Sequence, residues 1–251
     1  MAIASLYRHP IKGFTPQKVA AASLEPDRPF PGDRLYAVED GPSGFDPLAP
    51  AHIAKNRFTV LAKIAEVAKA RTHYEVESGL LTATAEGQPA FSGRLDRAAG
   101  REAFALWLTA LLGEAAGGPL KVLPGEGHRF LDWPAGHVSI INLASIADFA
   151  NRLGQGIDPL RFRANLYVDG WPAWAEADWV GRTLKLGKAR AEVIRTITRC
   201  AAPDVDPDTA RRDIAVTERL NAFYGHITCG LYVRVTKGGR VAEGDVAEPV
   251  A

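Results

Sequence analysis

Cysteine is scarce in this chain: Cys200 and Cys229 are the two such residues among 251. That number is too small for a zinc-thiolate cluster or a four-thiolate iron–sulfur centre. In a reducing compartment it predicts free thiols and no structural disulfide. An excess of charge of one sign is also lacking. The formal net charge is +1, whereas a dedicated nucleic-acid surface shows as a basic excess, so no nucleic-acid partner is expected. No apolar run is long enough to cross a bilayer, and the opening MAIASLYRHPIKG lacks the apolar core of a secretory signal. The expectation is a cytoplasmic protein with no membrane partner. Short-range histidine pairs are missing too, because His52, His73, His128, His137 and His226 are scattered, and zinc is not expected. No strand runs into a glycine-rich turn that opens a helix, Gly113 to Gly118 included, so no dinucleotide site is expected. Asp204, Asp206 and Asp208 alternate as in a calcium loop, but Ala210 and Asp213 break that pattern. They read as turn formers around Pro203 and Pro207.

What is present is ordinary for a globular protein, 47% hydrophobic and 24% charged residues, in a chain long enough to bury a substantial core. Short strands are predicted over 3–8, 19–24 and 35–38, followed by a Gly- and Pro-rich loop over 40–50. Thr59 is a candidate helix cap, and 67–75 with 80–85 read as a hairpin around Ser78-Gly79. The clearest helix is 98–112, with Phe104, Leu108, Leu111 and Leu112 at helical spacing and Gly113 to stop it. A strand at 120–123 and an exposed loop over 124–136 follow. The segment 137–143 leads into a helix over 144–153 that Gly154 ends, and a further helix is expected over 218–224 with Thr217 as its cap. The last strand, 231–236, alternates apolar and polar residues. Many short strands and few helices favour a closed or nearly closed barrel.

The densest chemistry lies between Arg161 and Asp206. Residues 160–168 alternate basic and apolar side chains, which predicts a half-buried strand with arginine on one face. Residues 182–186 and 189–198 read as a hairpin turning at Gly187-Lys188 and ending at Arg199-Cys200. A thiol beside arginine has its thiolate favoured, and thiolate is the form that attacks electrophiles or binds soft metals. The plain alternative is a small buried hydrophobe, the commonest fate of a free cysteine. Trp171, Trp174 and Trp179 either line an entrance or fill a barrel end.

The strings RFRANLYVDG (161–170), WAEADWVGRTLKLG (174–187) and RTITRCAAPDVDPDTARRD (195–213) together resemble the MOSC domain, the module named for the C-terminal part of molybdenum cofactor sulfurase. LYRHPIKGFTPQKV (6–19) and GDRLYAVED (32–40) resemble the β-barrel-like domain that precedes MOSC in the amidoxime-reducing branch. The resemblance implies a β-rich α+β fold: a MOSC β-barrel over 121–251, an N-terminal β-barrel-like domain over 1–120, and a few peripheral helices. It implies a molybdenum cofactor, molybdopterin with Mo, for which Cys200 supplies the metal ligand. Lys12, Arg34, Ser139, Arg163 and Asn165 match cofactor-contacting positions, with Arg199 helping to hold the charge. Arginine suits such a role because its planar fork pairs with phosphate. The implied activity is reduction of a small N-hydroxylated substrate with electrons from a separate electron-transfer protein. The alternative is a carrier that delivers the cofactor, or sulfur as a persulfide on Cys200. Ala201-Ala202-Pro203-Asp204 follows the cysteine where family members often carry small hydroxyl residues, which bears on substrate range.

Overall fold

The strand residues with the strictest alternation build the centre of the molecule. The computed structural model describes residues 1–134 and 138–250; the reading at His137 falls outside them. In chain order the first half holds β1 (Ala2–Arg8), β2 (Gln17–Val19), β3 (Ala21–Leu24), β4 (Tyr36–Asp40), β5 (Arg71–Glu75), β6 (Leu80–Thr84), β7 (Phe91–Arg94), α1 (Ala98–Leu112) and β8 (Leu120–Pro124). The second holds β9 (Val138–Asn142), α2 (Leu143–Leu153), β10 (Leu166–Asp169), β11 (Thr183–Leu186), β12 (Ala189–Thr198), α3 (Val216–Tyr224), β13 (Thr228–Lys237), β14 (Gly239–Ala242) and β15 (Ala247–Pro249).

Ala189, Ala191 and Val193 on β12, and Leu231, Val233 and Val235 on β13, are buried, while Arg190 and Arg234 between them face water. Period two puts all six on one side of the paired strands. They join an eight-stranded sheet in the order β15-β11-β12-β13-β9-β10-β1-β2. The sheet curls until its ends meet: Ala2 bridges Val246, and the Ile3 amide donates to the Asp245 carbonyl at 2.8 Å. Closure leaves little free edge. Ile3, Val138, Ile140, Val168 and Leu184 fill the interior with Trp171 and Trp179, whose rings meet edge-on at 4.7 Å. The Trp171 indole donates to the Ala247 carbonyl, so these two tryptophans fill the barrel. Trp174 lies elsewhere, bonded through its indole N–H to Asp148.

A second core forms where α1 lays Phe104, Leu108 and Leu112 against residues of β4 to β8, among them Tyr36, Leu81 and Val122. A third packs α2 and α3 over Tyr167 and Cys229 through Phe149, Ile146 and Leu220. The fold is a β-rich α+β architecture with a few peripheral helices. β1 and β2 pair into the main sheet and β3 pairs with β14, so the first 24 residues are part of the structure that later residues complete. That arrangement draws the loops after β1 and β3 to the end of the barrel where β12 stops.

Four local readings of the sequence are corrected. Residues 160–168 are not one strand: Pro159–Phe162 is a turn of 3-10 helix, begun by proline and by the Asp158 carboxylate accepting the Leu160 amide, and β10 starts at Leu166. Arg163 closes the turn in the left-handed region (φ 53). Thr59 caps no helix; its amide donates to the Val38 carbonyl and its hydroxyl is buried. Thr217 lies inside α3, whose first amide, Val216 N–H, is satisfied by the distant Asp204 carboxylate. The loop after β8 is not exposed throughout, since Phe130 is buried against Phe58 and Phe45.

Candidate functional site

β12 carries the chain to the rim of the barrel and ends at Thr198, so Arg199 and Cys200 emerge together. Arg199 turns back. Its guanidinium donates to the carbonyls of Cys229 and Phe162 and lies 5.2 Å from the Phe162 ring. A side chain at Gly230 would come within 2.5 Å of the Ile140 carbonyl oxygen and 3.1 Å of Arg199 Nη2, so glycine there admits this packing. Cys200 is left partly exposed beside a cavity of ≈ 230 Å3 lined also by Arg34, Lys55, Ser139, Arg163 and Tyr232. Cys229, by contrast, is buried, and burial pushes its thiol up to about 12.

The floor of this cleft is a polar network centred on Asp33. One carboxylate oxygen accepts the His9 amide at 2.6 Å; the other accepts from Asn165 Nδ2 at 2.9 Å and from the Arg34 guanidinium. Asn165 Oδ1 in turn accepts from both the amide and the hydroxyl of Ser139, at 3.0 and 2.9 Å. Burial pushes the Asp33 carboxyl upward, with Arg34 and Asn165 acting the other way. Arg34 and Arg163 both sit at positive φ, 47° and 53°. Non-glycine residues in that region cost about 1–3 kcal/mol and persist when their surroundings fix them, often at functional sites. The Arg34 amide bond to the His9 carbonyl at 2.7 Å and the Arg163 amide bond to Leu160 at 3.0 Å supply that fixing.

Positive charge dominates the walls. Lys12 is buried, donating to the Phe130 carbonyl and pairing with Asp132. Burial lowers its pKa against the pull of Asp132. Burial opposes charge on Asp132, yet Lys12, Arg34 and Lys55 outweigh it and hold that carboxyl well below the carboxylate range. Arg163 is pushed down to about 10 by burial and by the neighbouring Arg34 charge. Its Nη2 is buried and has no hydrogen-bond partner among the described residues. Such orphaned donors are rare and cost roughly 1–3 kcal/mol, more when charged. Arg163 lines the cleft, so a small turn of the guanidinium would bring this donor to an anion bound there.

The residues singled out in the sequence therefore divide. Cys200, Arg34, Ser139, Arg163 and Arg199 line one cleft, with Asn165 directly beneath and Lys12 in an adjoining hollow that also touches Arg34, Arg163 and Cys200. Ser139, Asn165 and Arg199 spend their polar atoms on the protein, which makes them supports for the basic residues. Arg161 borders the cleft from the 3-10 turn but spends its guanidinium on the protein: it is 4% exposed and forks onto Asp206 and Asp213 at 2.7 Å each.

Two residues carry no signal in the sequence. Lys55, from a single 3-10 turn (Lys55–Arg57), lies beside the Cys200 thiol, whose charge helps raise the lysine pKa against burial. His9 is wholly buried, bonded through Nε2 to the Ala164 carbonyl at 3.1 Å, next to Arg163 in the chain. Burial, Arg34 and Arg163 lower its pKa well below the ordinary value of 6.5. Between the two values the unfolded chain takes up a proton that the folded chain refuses, so this contribution to stability is full above about pH 6.5 and is lost as pH falls. Wild-type protein should therefore lose more melting temperature than His9→Gln between about pH 7.5 and pH 5.5. The comparison with the variant isolates the imidazole, because Asp33 and Glu176, raised by burial, act in the opposite direction in both proteins. Equal losses would refute a neutral buried imidazole.

A family model described as the MOSC N-terminal beta barrel domain matches residues 1–119, and one described as the MOSC domain matches residues 127–248. The chain belongs to the MOSC-domain family, with its characteristic N-terminal domain. Human mitochondrial amidoxime-reducing component 1 is 33% identical over 70 residues, 28% of this chain and 20% of that protein. The match thus spans about a fifth of that relative. Among solved structures, the YuaD protein of Bacillus subtilis aligns over 97% of this chain and 92% of its own at 13% identity, TM-score 0.43. YiiM of Geobacillus stearothermophilus aligns over 46% and 55% at 16% identity, TM-score 0.37. No helix among the described residues is long and apolar enough to cross a membrane.

Proposed function

We propose that this protein is a molybdenum-cofactor oxidoreductase that reduces N-hydroxylated compounds, such as amidoximes, hydroxylamines or N-hydroxylated bases, with electrons from a separate protein. The observation that carries the reading is the buried, unpartnered Nη2 of Arg163 in a cationic cleft that also presents the Cys200 thiol. The donor set fits the cofactor. Among the described residues no group of three or more His, Cys, Asp or Glu could hold a metal ion, so a metal here brings most of its own ligands and takes one soft thiolate from the protein. Arg163 and Arg34 would hold the cofactor's phosphate; Asp33, itself bonded to Asn165 and through it to Ser139, keeps Arg34 in place. Lys55 stands beside the Cys200 thiol and adds a positive charge to the cleft wall. When bound, the cofactor supplies the two-electron redox centre at which the N–O bond is broken.

Reduction of an N-hydroxyl group consumes two electrons and two protons and releases water, so a donor is required. Both proposed domains, 1–120 and 121–251, contribute walls, Arg34 and Lys55 from the first and Arg163 and Cys200 from the second. The sequence similarity to an amidoxime-reducing component supports the same substrate class.

The test combines metal content with turnover. Protein from a host that makes molybdopterin should contain molybdenum near one to one, stay silent with NADH or NADPH alone, and oxidise reduced methyl viologen only when an N-hydroxylated substrate is added. Stoichiometric zinc without molybdenum would sink the reading. Fully loaded protein that turns over nothing, yet passes its cofactor or sulfur to an apo-enzyme, would make it a carrier.

A further inference from the structure

A larger cavity of ≈ 640 Å3 shares a loop with the Cys200 cleft and differs from it in every other wall. His128, Arg129, Leu131 and Pro134 line the large cavity, whereas Asp132 and Trp133 line the cleft. Pro29, Pro31 and Pro50 complete the walls, and their fixed φ makes the shape preformed. The volume lies within the range of about 300–1,000 Å3 that small-molecule sites occupy.

The charges in this cavity are unbalanced. Arg28, Arg129, His52 and His128 line it against one acid, Glu25. Among the described residues none of the four bases makes an ion pair. Arg129 Nη1 reaches only the carbonyls of His128 and Gly125, at 2.7 and 3.3 Å. Burial and the Arg28 charge make protonation of Arg129 harder; Asp33 eases it, but the oxygens of Asp33 are already taken by His9, Arg34 and Asn165. The His128 ring packs tilted against Phe45 at 5.4 Å and edge-on to Phe130 at 5.2 Å, which fixes the plane of the imidazole beside the bases.

We infer that this cavity is a second ligand site, which takes a phosphate-bearing, nucleotide-sized molecule with its phosphate between Arg28 and Arg129. Like charges that face one another without a counter-ion repel, and a dianion between them relieves the repulsion while accepting charge-assisted hydrogen bonds. His128 and Leu131 offer the flat and apolar surface for a base. Glu25 accepts a hydrogen bond from an amino or hydroxyl group and disfavours any anion bound on its side. The site stands independently of the molybdenum reading.

The experiment is calorimetric titration of cofactor-loaded protein, whose Cys200 cleft is filled, with adenosine monophosphate, inorganic phosphate and adenosine at low salt. Should the protein not load, Arg163→Ala provides the background in which the Cys200 cleft is weakened. The monophosphate should bind saturably and more tightly than phosphate or adenosine. Arg129→Gln and Arg28→Gln should each weaken it about tenfold or more, the usual consequence of losing one charge-assisted contact, and Glu25→Gln should tighten it. Thermal melting of each variant shows whether it remains folded. No saturable binding, binding untouched by both arginine changes in folded protein, or equal affinity for adenosine would overturn the assignment. Binding of polyglutamate without the monophosphate would make the face a docking surface for an acidic protein, and would overturn it as well.

Discussion

Replacing Cys200 with Ser should abolish viologen-dependent turnover while leaving the fold and melting temperature close to wild type. The thiol lies partly exposed at the end of β12, outside all four buried hydrophobic clusters, so exchange of sulfur for oxygen disturbs no packing. A hydroxyl is a hard, weakly acidic donor where a soft thiolate is needed. Loss of an outer-shell partner in metal sites already costs about 10- to 100-fold, and loss of a direct ligand should exceed that. Cys229→Ala is the control. Its thiol is buried among Phe149, Ile146 and Tyr167, its burial keeps it protonated, and only its backbone carbonyl contacts Arg199. That variant should melt a few degrees lower and keep its specific activity per folded molecule. Equal loss of activity in both would mean that the wrong thiol carries the chemistry.

The residues that line the cleft are more visible in the sequence than the residues that support them. Cys200, Arg34 and Arg163 line one cleft, and each lies in a turn or just past the end of a strand, inside the strings that resemble the family. The hairpin from Thr183 to Thr198 and the strand β13 were legible because buried apolar residues alternate along most of each, the exception being exposed Arg195 at a shift of register. β14 and β15, which follow β13, were not anticipated. Residues 160–168 show the same periodicity over too few positions to separate a strand from a 3-10 turn. Pro159, and the Asp158 carboxylate that receives the Leu160 amide, decide between them. The Asp204 carboxylate at the start of α3 was illegible for another reason, since Thr217 has the right local chemistry and the true acceptor lies twelve residues earlier in the chain. His9 and Lys55 belong to the same class. Their roles arise from Ala164 and Cys200, more than a hundred residues away, and no local pattern encodes that contact.

Arg161 and Arg163, two residues apart, should fail in opposite ways. Arg163→Ala removes a guanidinium whose Nη2 has no partner among the described residues, so melting temperature should hold or rise slightly. Its cofactor content should fall, because a charge-assisted contact to phosphate contributes roughly 1.5–3 kcal/mol, a ten- to hundredfold change in affinity. Arg161→Ala instead strips both Asp206 and Asp213 of their counter-charge and removes the guanidinium donor from the carbonyls of Pro203 and Asp204, of which Asp204 keeps the Asp213 amide. Removing one member of a buried ion pair costs about 3–5 kcal/mol. The lower end applies here, since Asp213 is 44% exposed and water can solvate it. For a chain of this size about 3 kcal/mol corresponds to a fall in melting temperature on the order of 6–12 °C. Arg161→Lys should recover little of it, because one ammonium cannot fork onto two carboxylates and two carbonyls at once. Molecules of Arg161→Ala that remain folded at low temperature should still load cofactor. Calorimetric melting together with molybdenum analysis of both variants reads the contrast: early melting of Arg163→Ala with full loading would make Arg163 structural, and an unchanged melting temperature for Arg161→Ala would remove the buried ion pair from the account of the fold.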